Sequence, residues 1–302
     1  MEVPSHQLEF EKMFSDESQC EELIINLKWE NGFICPRCNN TTYWKQTRRR
    51  LCCQKCRAKI SILKGTLFEQ SNKPLVLWFR VIWAMVILKN GISALGLQKL
   101  MGFGSYKTAF TWLHRLRELT ILPDRTKLSG KVEVDESFLG GKHEGKRGRG
   151  AEGKILIAIA VEVLEYGTGR IRLAIIKDAS TKSLRSFIEA NIEKNAEIIT
   201  DGWKSYKNIK GYKHTVTDKS ILMDSESLLP NVHRVASLLK RWQLGTHQSY
   251  ITSNKAQNYL EEFTFRYNRR TAKTRGLLFH KLIKQAVDFE STSKKSLTNK
   301  GV

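Results

Sequence analysis

The chain has 302 residues, with 51 Lys and Arg against 30 Asp and Glu and a formal net charge of +21 at pH 7. This length supports two or three domains and excludes a minimal peptide held together by disulfides. The positive excess favours a polyanionic partner. The most apolar stretch, residues 75–88, contains Arg80 and is too short to cross a membrane. Residues 1–14 lack the pattern of a secretory signal, so we expect a cytoplasmic protein with no membrane partner.

Five of the six cysteines lie between Cys35 and Cys56 in a pattern typical of a zinc site. Two Cys-x-x-Cys pairs, Cys35 with Cys38 and Cys53 with Cys56, allow four thiolates to face one ion, whereas Cys52 has no partner at that spacing. We predict a structural Zn²⁺ bound by these four, in a ribbon over about residues 30–62 of an N-terminal region 1–70. Disulfides or a redox pair are alternatives that a reducing compartment and the doubled motif disfavour.

Aromatic and basic side chains occur together in a predicted hairpin between the two cysteine pairs. The basic residues would contact DNA phosphates, or they would form a solvated face while the aromatic residues pack the ribbon. The sequence supports both interpretations equally. The residues are Tyr43, Trp44, Lys45, Arg48, Arg49 and Arg50.

The segment 71–122 is predicted to be helical, with the outline of a helix-turn-helix. Pro74 begins a strongly apolar helix. Ser93 and Ser105 are placed to cap two further helices, and Gly102 lies in the turn between them. This outline is typical of DNA-binding proteins, although a plain helical hairpin is the alternative.

The last of these helices would present polar side chains to DNA. Its N-terminal residues would face a major groove, and two arginines would lie nearer the DNA backbone. The groove-facing candidates are Tyr106, Lys107, Thr108 and Thr111, and the arginines are Arg115 and Arg117.

Two strand-like segments are each predicted to end in a carboxylate. Val-Glu-Val-Asp135 alternates apolar and acidic side chains, as in a strand with one buried face, and places Asp135 near the strand end. The apolar run 196–200 precedes Asp201-Gly202, which indicates a short buried strand that stops at a turn. Two carboxylates at the ends of adjacent strands can share a hard cation such as Mg²⁺.

Between these carboxylates the sequence predicts a loop, a hairpin and a helix. The glycine-rich stretch 140–154 is predicted to be a loop in which Lys146, Arg147 and Arg149 contact the DNA backbone. Its glycines do not match a phosphate-binding loop, so no nucleoside triphosphate is expected. Two β-branched runs form the hairpin, and Thr181 caps the helix. The resulting order is strand, strand, strand, helix, strand.

A further helix is predicted from Val232 to Gln243, where apolar residues recur at helical spacing. His233 and Lys240, seven residues apart, then share one polar face. His233 would contribute an imidazole nitrogen to a metal, while Lys240, with Arg241 beside it, would hold a phosphate. On the alternative interpretation, the aspartates form turns and the histidine is only half-buried.

The C-terminal part is predicted to contain one more helix and a tail. Residues 254–269 carry an aromatic stripe that would pack on the preceding domain. The polar, lysine-rich segment 286–302 is predicted to be a disordered basic tail.

Together these segments resemble the DDE-type transposases of bacterial insertion sequences that carry an N-terminal zinc ribbon, a Merlin-related superfamily with an ISXO-like catalytic domain. In such transposases the third metal-binding position varies and is followed seven residues later by a lysine; here these are His233 and Lys240. Asn231 departs from a common Trp. Besides the ribbon, the resemblance rests on Val-Glu-Val-Asp135-Glu-Ser-Phe-Leu-Gly-Gly-Lys, Thr-Asp201-Gly-Trp-Lys-Ser-Tyr, Leu-Leu-Lys240-Arg-Trp and Tyr-Leu-Glu-Glu-Phe-Thr-Phe-Arg-Tyr-Asn-Arg-Arg.

The resemblance implies an α/β fold, with an RNase H-like catalytic domain at 127–285 that has a mixed sheet and flanking helices. Asp135, Asp201 and His233 would bind two Mg²⁺ or Mn²⁺ ions, and Lys240 would neutralise the phosphate. Imidazole suits Mn²⁺ better than Mg²⁺. Water would free a 3′-hydroxyl at each element end, and that hydroxyl would attack target DNA without ATP.

The partners implied are double-stranded DNA, as terminal inverted repeats and as target, and a second copy of the chain in a homodimer or higher oligomer. The protein would be associated with the nucleoid in a bacterium, or nuclear in a eukaryotic host. Two alternatives are a metal-dependent nuclease that cuts without joining, and a catalytically silent, transposase-derived DNA-binding regulator.

Overall fold

A computed structural model describes nine segments of the chain, which fall into two compact units. The first unit comprises the described residues of Met1–Leu119 and Ala272–Val302, and the second those of Thr120–Thr271. Four predicted DNA-contacting residues, Arg48, Lys146, Arg147 and Arg149, and most of the predicted tail lie outside the described residues. The described residues are 2–47, 49–69, 71–121, 125–140, 154–207, 209, 211–217, 228–248 and 255–289.

The described helices and strands belong to a mixed α/β protein, as predicted. No helix in these segments is long and apolar enough to cross a membrane. In chain order the elements are α1 Gln7–Met13, α2 Glu17–Lys28, β1 Tyr43–Gln46, β2 Arg50–Cys53, β3 Lys59–Ser61, α3 Leu75–Ile87, α4 Ala94–Met101, α5 Tyr106–Glu118, β4 Lys131–Leu139, β5 Ile155–Leu164, β6 Gly167–Ile175, α6 Thr181–Asn191, β7 Glu197–Thr200, a 3₁₀ turn Lys204–Tyr206, β8 Lys213–Val216, α7 Pro230–His247, α8 Ala256–Tyr267 and α9 Gly276–Val287.

Helices α4 and α5 of the first unit begin at the predicted caps. Ser93 Oγ accepts from the Gly96 N–H at 3.0 Å, and Ser105 Oγ accepts from the Lys107 N–H at 3.2 Å. Gly102 ends α4 in the left-handed conformation, with φ of 65°. Because each hydroxyl satisfies an otherwise unpaired N–H of the first helical turn, these serines fix where the helices start.

Helix α9 belongs to the first unit, not to the predicted catalytic domain. Phe279 lies at the centre of an aromatic cluster, with ring centroids 5.4 Å from Phe10 and Phe14, 5.6 Å from Phe79 and 5.8 Å from Trp83. The sequence-based boundary at residue 285 therefore differs from the division that the packing gives. Such rings bury large apolar areas, which explains why α9 returns to the N-terminal helices.

The ribbon is an antiparallel sheet in the order β1-β2-β3 that brings the four predicted cysteines together. Their sulfurs lie within 4.8 Å of one another, and the Cys35–Cys56 and Cys38–Cys53 Sγ distances are both 3.6 Å. Tetrahedral Zn²⁺ with bonds of about 2.3 Å separates its sulfur ligands by about 3.8 Å. The cluster therefore fits a structural Zn²⁺. Cys52 lies outside it, and its Sγ donates to the Arg57 carbonyl at 3.5 Å.

The second unit is built on a five-stranded mixed sheet in the order β6-β5-β4-β7-β8. Strands β4, β5 and β6 pair antiparallel, whereas β7 is parallel to both β4 and β8. The chain order of three strands, a helix and a fourth strand matches the RNase H-like expectation. Strand β8 was not predicted, because its four residues are mostly exposed and carry little apolar pattern.

Helices cover both faces of this sheet. Val132, Val134 and Ala158 pack with α6 on one face, while Ile157 and Ile159 pack with α7 and α8 on the other. The prediction that β4 has a single buried face is therefore wrong. Its acidic face is covered as well, and Glu133 is only 5% exposed.

Helix α8 also covers the edge of the sheet at β6. Asn268 accepts from the Ile171 N–H at 2.7 Å and donates to the Ile171 carbonyl at 3.1 Å. Gln257 accepts from the Ile175 N–H at 3.0 Å. These amides satisfy backbone groups that an edge strand otherwise leaves open to another chain.

Two local predictions in the second unit need correction. Asp135 is the fifth of nine residues in β4 and not at its end, because hydrogen bonding to β5 continues to Leu139. Ser180, not Thr181, caps α6, because Ser180 Oγ accepts from the Ser183 N–H.

We expect Cys38→Ser to reduce the zinc content of the purified chain from about one ion to almost none, because the tetrahedral site loses a thiolate. Elemental analysis measures the metal. Cys52→Ser is the matched control, since Cys52 is buried beside the cluster but outside it. Equal zinc contents in the two variants would contradict the ligand set.

We expect Phe279→Ala to destabilise the first unit by roughly 3–5 kcal/mol, because it leaves a cavity among four aromatic rings. Denaturant unfolding monitored by tryptophan fluorescence would detect the change. Leu277→Ala is the control on the same helix, since Leu277 is 50% exposed. If both variants unfold at the same midpoint, α9 does not pack as described.

Candidate active site

A cleft of about 820 Å³ opens in the second unit where β4, β7, β8 and α7 converge. Three of the four residues predicted to be catalytic line it: Asp135, Asp201 and His233. The other lining residues are Gly202, Val216, Thr217, Leu228 and Leu229. The parallel part of the sheet thus brings together residues that are nearly 100 positions apart in the sequence.

Asp135 lies just beyond the point where β4 separates from β7. The last pair between these strands is Glu133 with Ile199, so the Asp135 side chain, two residues on and on the same face of β4, has no β7 neighbour. Its Oδ1 accepts from the Glu136 N–H at 2.7 Å. Burial and the charge of Asp201 raise the pKa of Asp135, against the opposing effects of that N–H and of His233. A cation in the cleft would relieve this repulsion.

Asp201 directly follows β7, and its Oδ1 accepts from the Trp203 N–H at 3.1 Å. The backbone that holds it requires glycine at position 202. Gly202 has φ of +78°, and an added Cβ would lie 2.7 Å from Val216 Cγ1. The prediction that β7 stops at the Asp-Gly pair is confirmed, although the connection is irregular backbone and not a regular turn. The positive φ and the close approach of β8 both favour glycine at position 202.

His233 lies in the first turn of α7, with its Nε2 atom 3.5 Å from Asp135 Oδ2. Glu133 holds the start of that helix. Its carboxylate accepts from the Val232 N–H at 2.9 Å and from the Asn231 side-chain amide at 2.6 Å. A buried carboxylate at a helix N-terminus is favoured by both the free N–H groups and the helix dipole.

Glu133 is a positioning residue that sequence reasoning missed. It was noted only as a polar member of the β4 alternation. Because side chains alternate along a strand, Glu133 and Asp135 point to the same face, which α7 covers. An acidic residue two positions before a candidate ligand, on a strand flanked by helices, was the available signal. Asn231, the departure from the common Trp, is one of its partners.

The cleft offers the donor types that a divalent cation uses, but its three candidate ligand atoms lie further apart than the four sulfurs of the ribbon. Two ligands of one ion with bonds of about 2.1 Å lie about 3–4 Å apart, which the Asp135–His233 distance fits. Asp201 is exposed, and its carboxylate does not lie within 4.8 Å of both Asp135 and His233. Within the described segments, only the four cysteines bring three or more ligand atoms within 4.8 Å of one another.

Lys240 and Arg241 do not line the cleft. Both are exposed on α7, two turns beyond His233, or about 10 Å along the helix axis. Because seven residues are close to two full turns, Lys240 lies on the same side of the helix as His233, as the spacing predicted. Its place suits contact with a phosphate next to the cleft more than with one inside it.

The other predicted DNA contacts lie in the first unit, and two of them are in positions that do not suit DNA. Arg49 pairs with Glu17 at 2.6 Å and with Glu21 at 3.4 Å, which ties the ribbon to α2. Arg117 is 1% exposed, so the prediction that it approaches a DNA backbone is wrong. Exposed side chains remain at Arg50, Tyr106, Lys107, Thr111 and Arg115, and Thr108 is half-buried.

The two aromatic residues of the ribbon hairpin pack within the first unit. The Tyr43 ring lies 4.9 Å from the Phe33 ring, and the Arg57 guanidinium lies 4.5 Å from the Trp44 ring centre. These contacts favour the interpretation in which the aromatic side chains pack the ribbon.

Comparison with known proteins links both units to one group of enzymes. A family model described as the ISXO2-like transposase domain matches residues 127–268, and one described as the transposase zinc-ribbon domain matches residues 15–59. The chain is also 25% identical over 279 residues to an uncharacterized protein in transposable element ISH50 of Halobacterium salinarum. That alignment covers 84% of this chain and 92% of the relative.

The first match contains every element that forms the cleft, and the second contains all four clustered cysteines. The chain therefore belongs to the insertion-sequence transposase family that joins a transposase zinc ribbon to an ISXO2-like transposase domain.

Proposed function

We propose that this transposase cuts DNA at the ends of its insertion sequence and joins the freed 3′ ends to target DNA, with Mg²⁺ or Mn²⁺ as cofactor. The observation that carries the proposal is the convergence of Asp135, Asp201 and His233 on one cleft within the region that matches the transposase domain. Two carboxylates and an imidazole form a donor set for a divalent cation in a site that phosphate can enter.

Each residue has a distinct role in this proposal. Asp135, the most buried of the three, and Asp201 would offer carboxylate oxygens to the cations, and His233 would offer an imidazole nitrogen. The bound cations would activate the attacking oxygen and stabilise the leaving oxygen. Imidazole is a better ligand for Mn²⁺ than for Mg²⁺, so we expect Mn²⁺ to support the faster reaction.

The exposed face of α7 would guide the DNA backbone towards the cleft. Lys240 and Arg241 lie two turns beyond His233 and would contact phosphates next to the reacting one. Because joining exchanges one phosphodiester bond for another, the residues need only position two DNA strands and neutralise charge. No nucleoside triphosphate is required.

The deciding experiment incubates the full chain with labelled DNA carrying the terminal repeats of its element, a plasmid target, and Mg²⁺ or Mn²⁺. We expect a joined product, and we expect Asp135→Asn to abolish it while DNA binding persists. Cutting without joining would favour a nuclease instead. Binding without cutting in either metal would favour a regulator derived from a transposase.

We expect Asp201→Asn to reduce cutting and joining to background as well, because an amide is a poor ligand for a hard cation compared with a carboxylate. Glu165→Gln is the matched control, since Glu165 is an exposed carboxylate in the β5–β6 turn of the same unit. Gel analysis of the labelled products measures both steps. Equal product from the two variants would remove Asp201 from the site.

We expect Glu133→Gln to slow joining about 10–100-fold, the usual effect of losing a group that orients a metal ligand. The Mn²⁺ concentration needed for half-maximal rate should rise, because the start of α7 and therefore His233 lose their charged anchor. Glu197→Gln is the control, since its carboxylate binds Lys213 and Thr215 outside the cleft. A lower unfolding midpoint with unchanged Mn²⁺ dependence would indicate a purely structural role.

A further inference from the structure

A second cavity in the second unit, of about 360 Å³, lies beside the β6 edge of the sheet and is unusually rich in arginine. It is formed by β6, by α8 and its C-terminal end, and by the segment before β4. None of its lining residues lines the cleft of Asp135 and Asp201. The lining residues are Thr120, Arg125, Thr126, Arg170, Arg172, Glu261, Thr264, Phe265, Asn268 and Arg269.

Two of the four arginines have carboxylate partners. Arg125 Nη1 lies 2.6 Å from Glu261 Oε2, and Arg170 Nη2 lies 2.5 Å from Glu162 Oε1. These pairs fix the two side chains at the rim of the cavity. Glu261 is the only acidic residue that lines the cavity, and it is already paired with Arg125.

The other two arginines, Arg172 and Arg269, form no ion pair with any residue that the structure describes. Arg172 donates to the carbonyls of Ile171 at 2.9 Å and Thr126 at 2.5 Å. Arg269 donates to the Phe265 carbonyl at 3.2 Å. Neutral acceptors do not compensate a guanidinium charge, so the cavity keeps an excess of two positive charges after both ion pairs are counted.

Burial makes this excess costly. Arg172 is only 5% exposed, and an uncompensated buried charge is strongly unfavourable. Burial, with the charges of Arg125 and Arg170, lowers the pKa of Arg172 to about 10, which still leaves it charged at neutral pH. Thr264, which also lines the cavity, is 4% exposed, and within the described part of the chain its hydroxyl has no hydrogen-bond partner.

We propose that this cavity binds a phosphate group, held by Arg172 and Arg269 with the Thr264 hydroxyl as a further donor. Guanidinium groups donate paired N–H bonds that match the oxygens of phosphate, and an anion here would satisfy both the charge and the hydroxyl. The phosphate belongs to a DNA backbone or is free phosphate in solution. The DNA source rests on the proposed function, whereas the anion site does not.

The test measures the thermal unfolding of the full chain in inorganic phosphate and in chloride at matched ionic strength. A ligand that binds the folded state raises Tm as its concentration increases. We expect such a rise for the natural chain and its loss in Arg172→Met and in Arg269→Gln. Arg185→Gln is the control, since Arg185 is an exposed arginine of the same unit that pairs with Glu189.

Arg172→Met removes a buried charge and should fold at least as stably as the natural chain in chloride. If it does not fold, Arg269→Gln provides the same comparison at a less buried position. An equal phosphate-dependent rise in Tm in all four proteins would overturn the proposal, as would the absence of any rise in the natural chain.

DNA binding at several salt concentrations identifies the source of the phosphate. Loss of one DNA phosphate contact in Arg269→Gln would reduce the slope of log affinity against log salt by about 0.9. An unchanged slope, together with a lost phosphate response, would assign the cavity to free phosphate. Failure of the joining reaction would refute the proposed function but leave the phosphate response intact.

Discussion

The hydrogen bonds between the Glu133 carboxylate and the first turn of α7 position the rest of the candidate site. Glu133 lies two residues before Asp135 on β4, and its partner Val232 directly precedes His233 on α7. One buried contact therefore fixes the relation between a strand residue and a helix residue almost 100 positions later. If Glu133 bound the N–H of the residue next to Val232 instead, the helix would turn by about 100° around its axis and His233 would move away from Asp135.

The mixed sheet gives the second unit two different sides. On the parallel side, β4 separates from β7 after Glu133, and the cleft with its two carboxylates lies beyond that point, beside the ends of β7 and β8. On the antiparallel side, α8 closes the β6 edge with Asn268 and Gln257, and the adjacent cavity is positively charged. The acidic groups that suit cations and the arginines that suit anions are thus separated by the width of the sheet. A chain with a net charge of +21 keeps a locally acidic site in this way.

Residues whose role depends on local spacing could be predicted from the sequence. The cysteine pairs, the Ser93 and Ser105 caps, the end of β7 at the Asp-Gly pair and the helix that carries His233 follow from separations of a few residues. These features depend on backbone geometry that neighbouring residues determine by themselves. The order β4, β5, β6, α6 and β7 followed for the same reason, whereas the α/β fold with an RNase H-like domain was implied by the family resemblance.

The features that were missed depend on contacts between distant segments. Nothing near Arg117 in the sequence shows that its side chain is buried, and nothing near Arg49 shows that Glu17 and Glu21 bind it. Strand β8 is short and mostly exposed, and it forms because β7 provides a parallel partner. The role of Glu133 was hidden because a strand carboxylate on a solvent face and one beneath a helix look alike in sequence.

The return of α9 to the first unit has a consequence for how the chain is made. The second unit is one continuous stretch, whereas the first is completed by a helix that follows it. During synthesis from the N-terminus, domains generally fold as their residues become available. The sheet and its helices can therefore form as soon as α8 has emerged, while the ribbon and the N-terminal helices still lack Phe279, the centre of their aromatic cluster. The part of the protein that is translated first is the last to be complete.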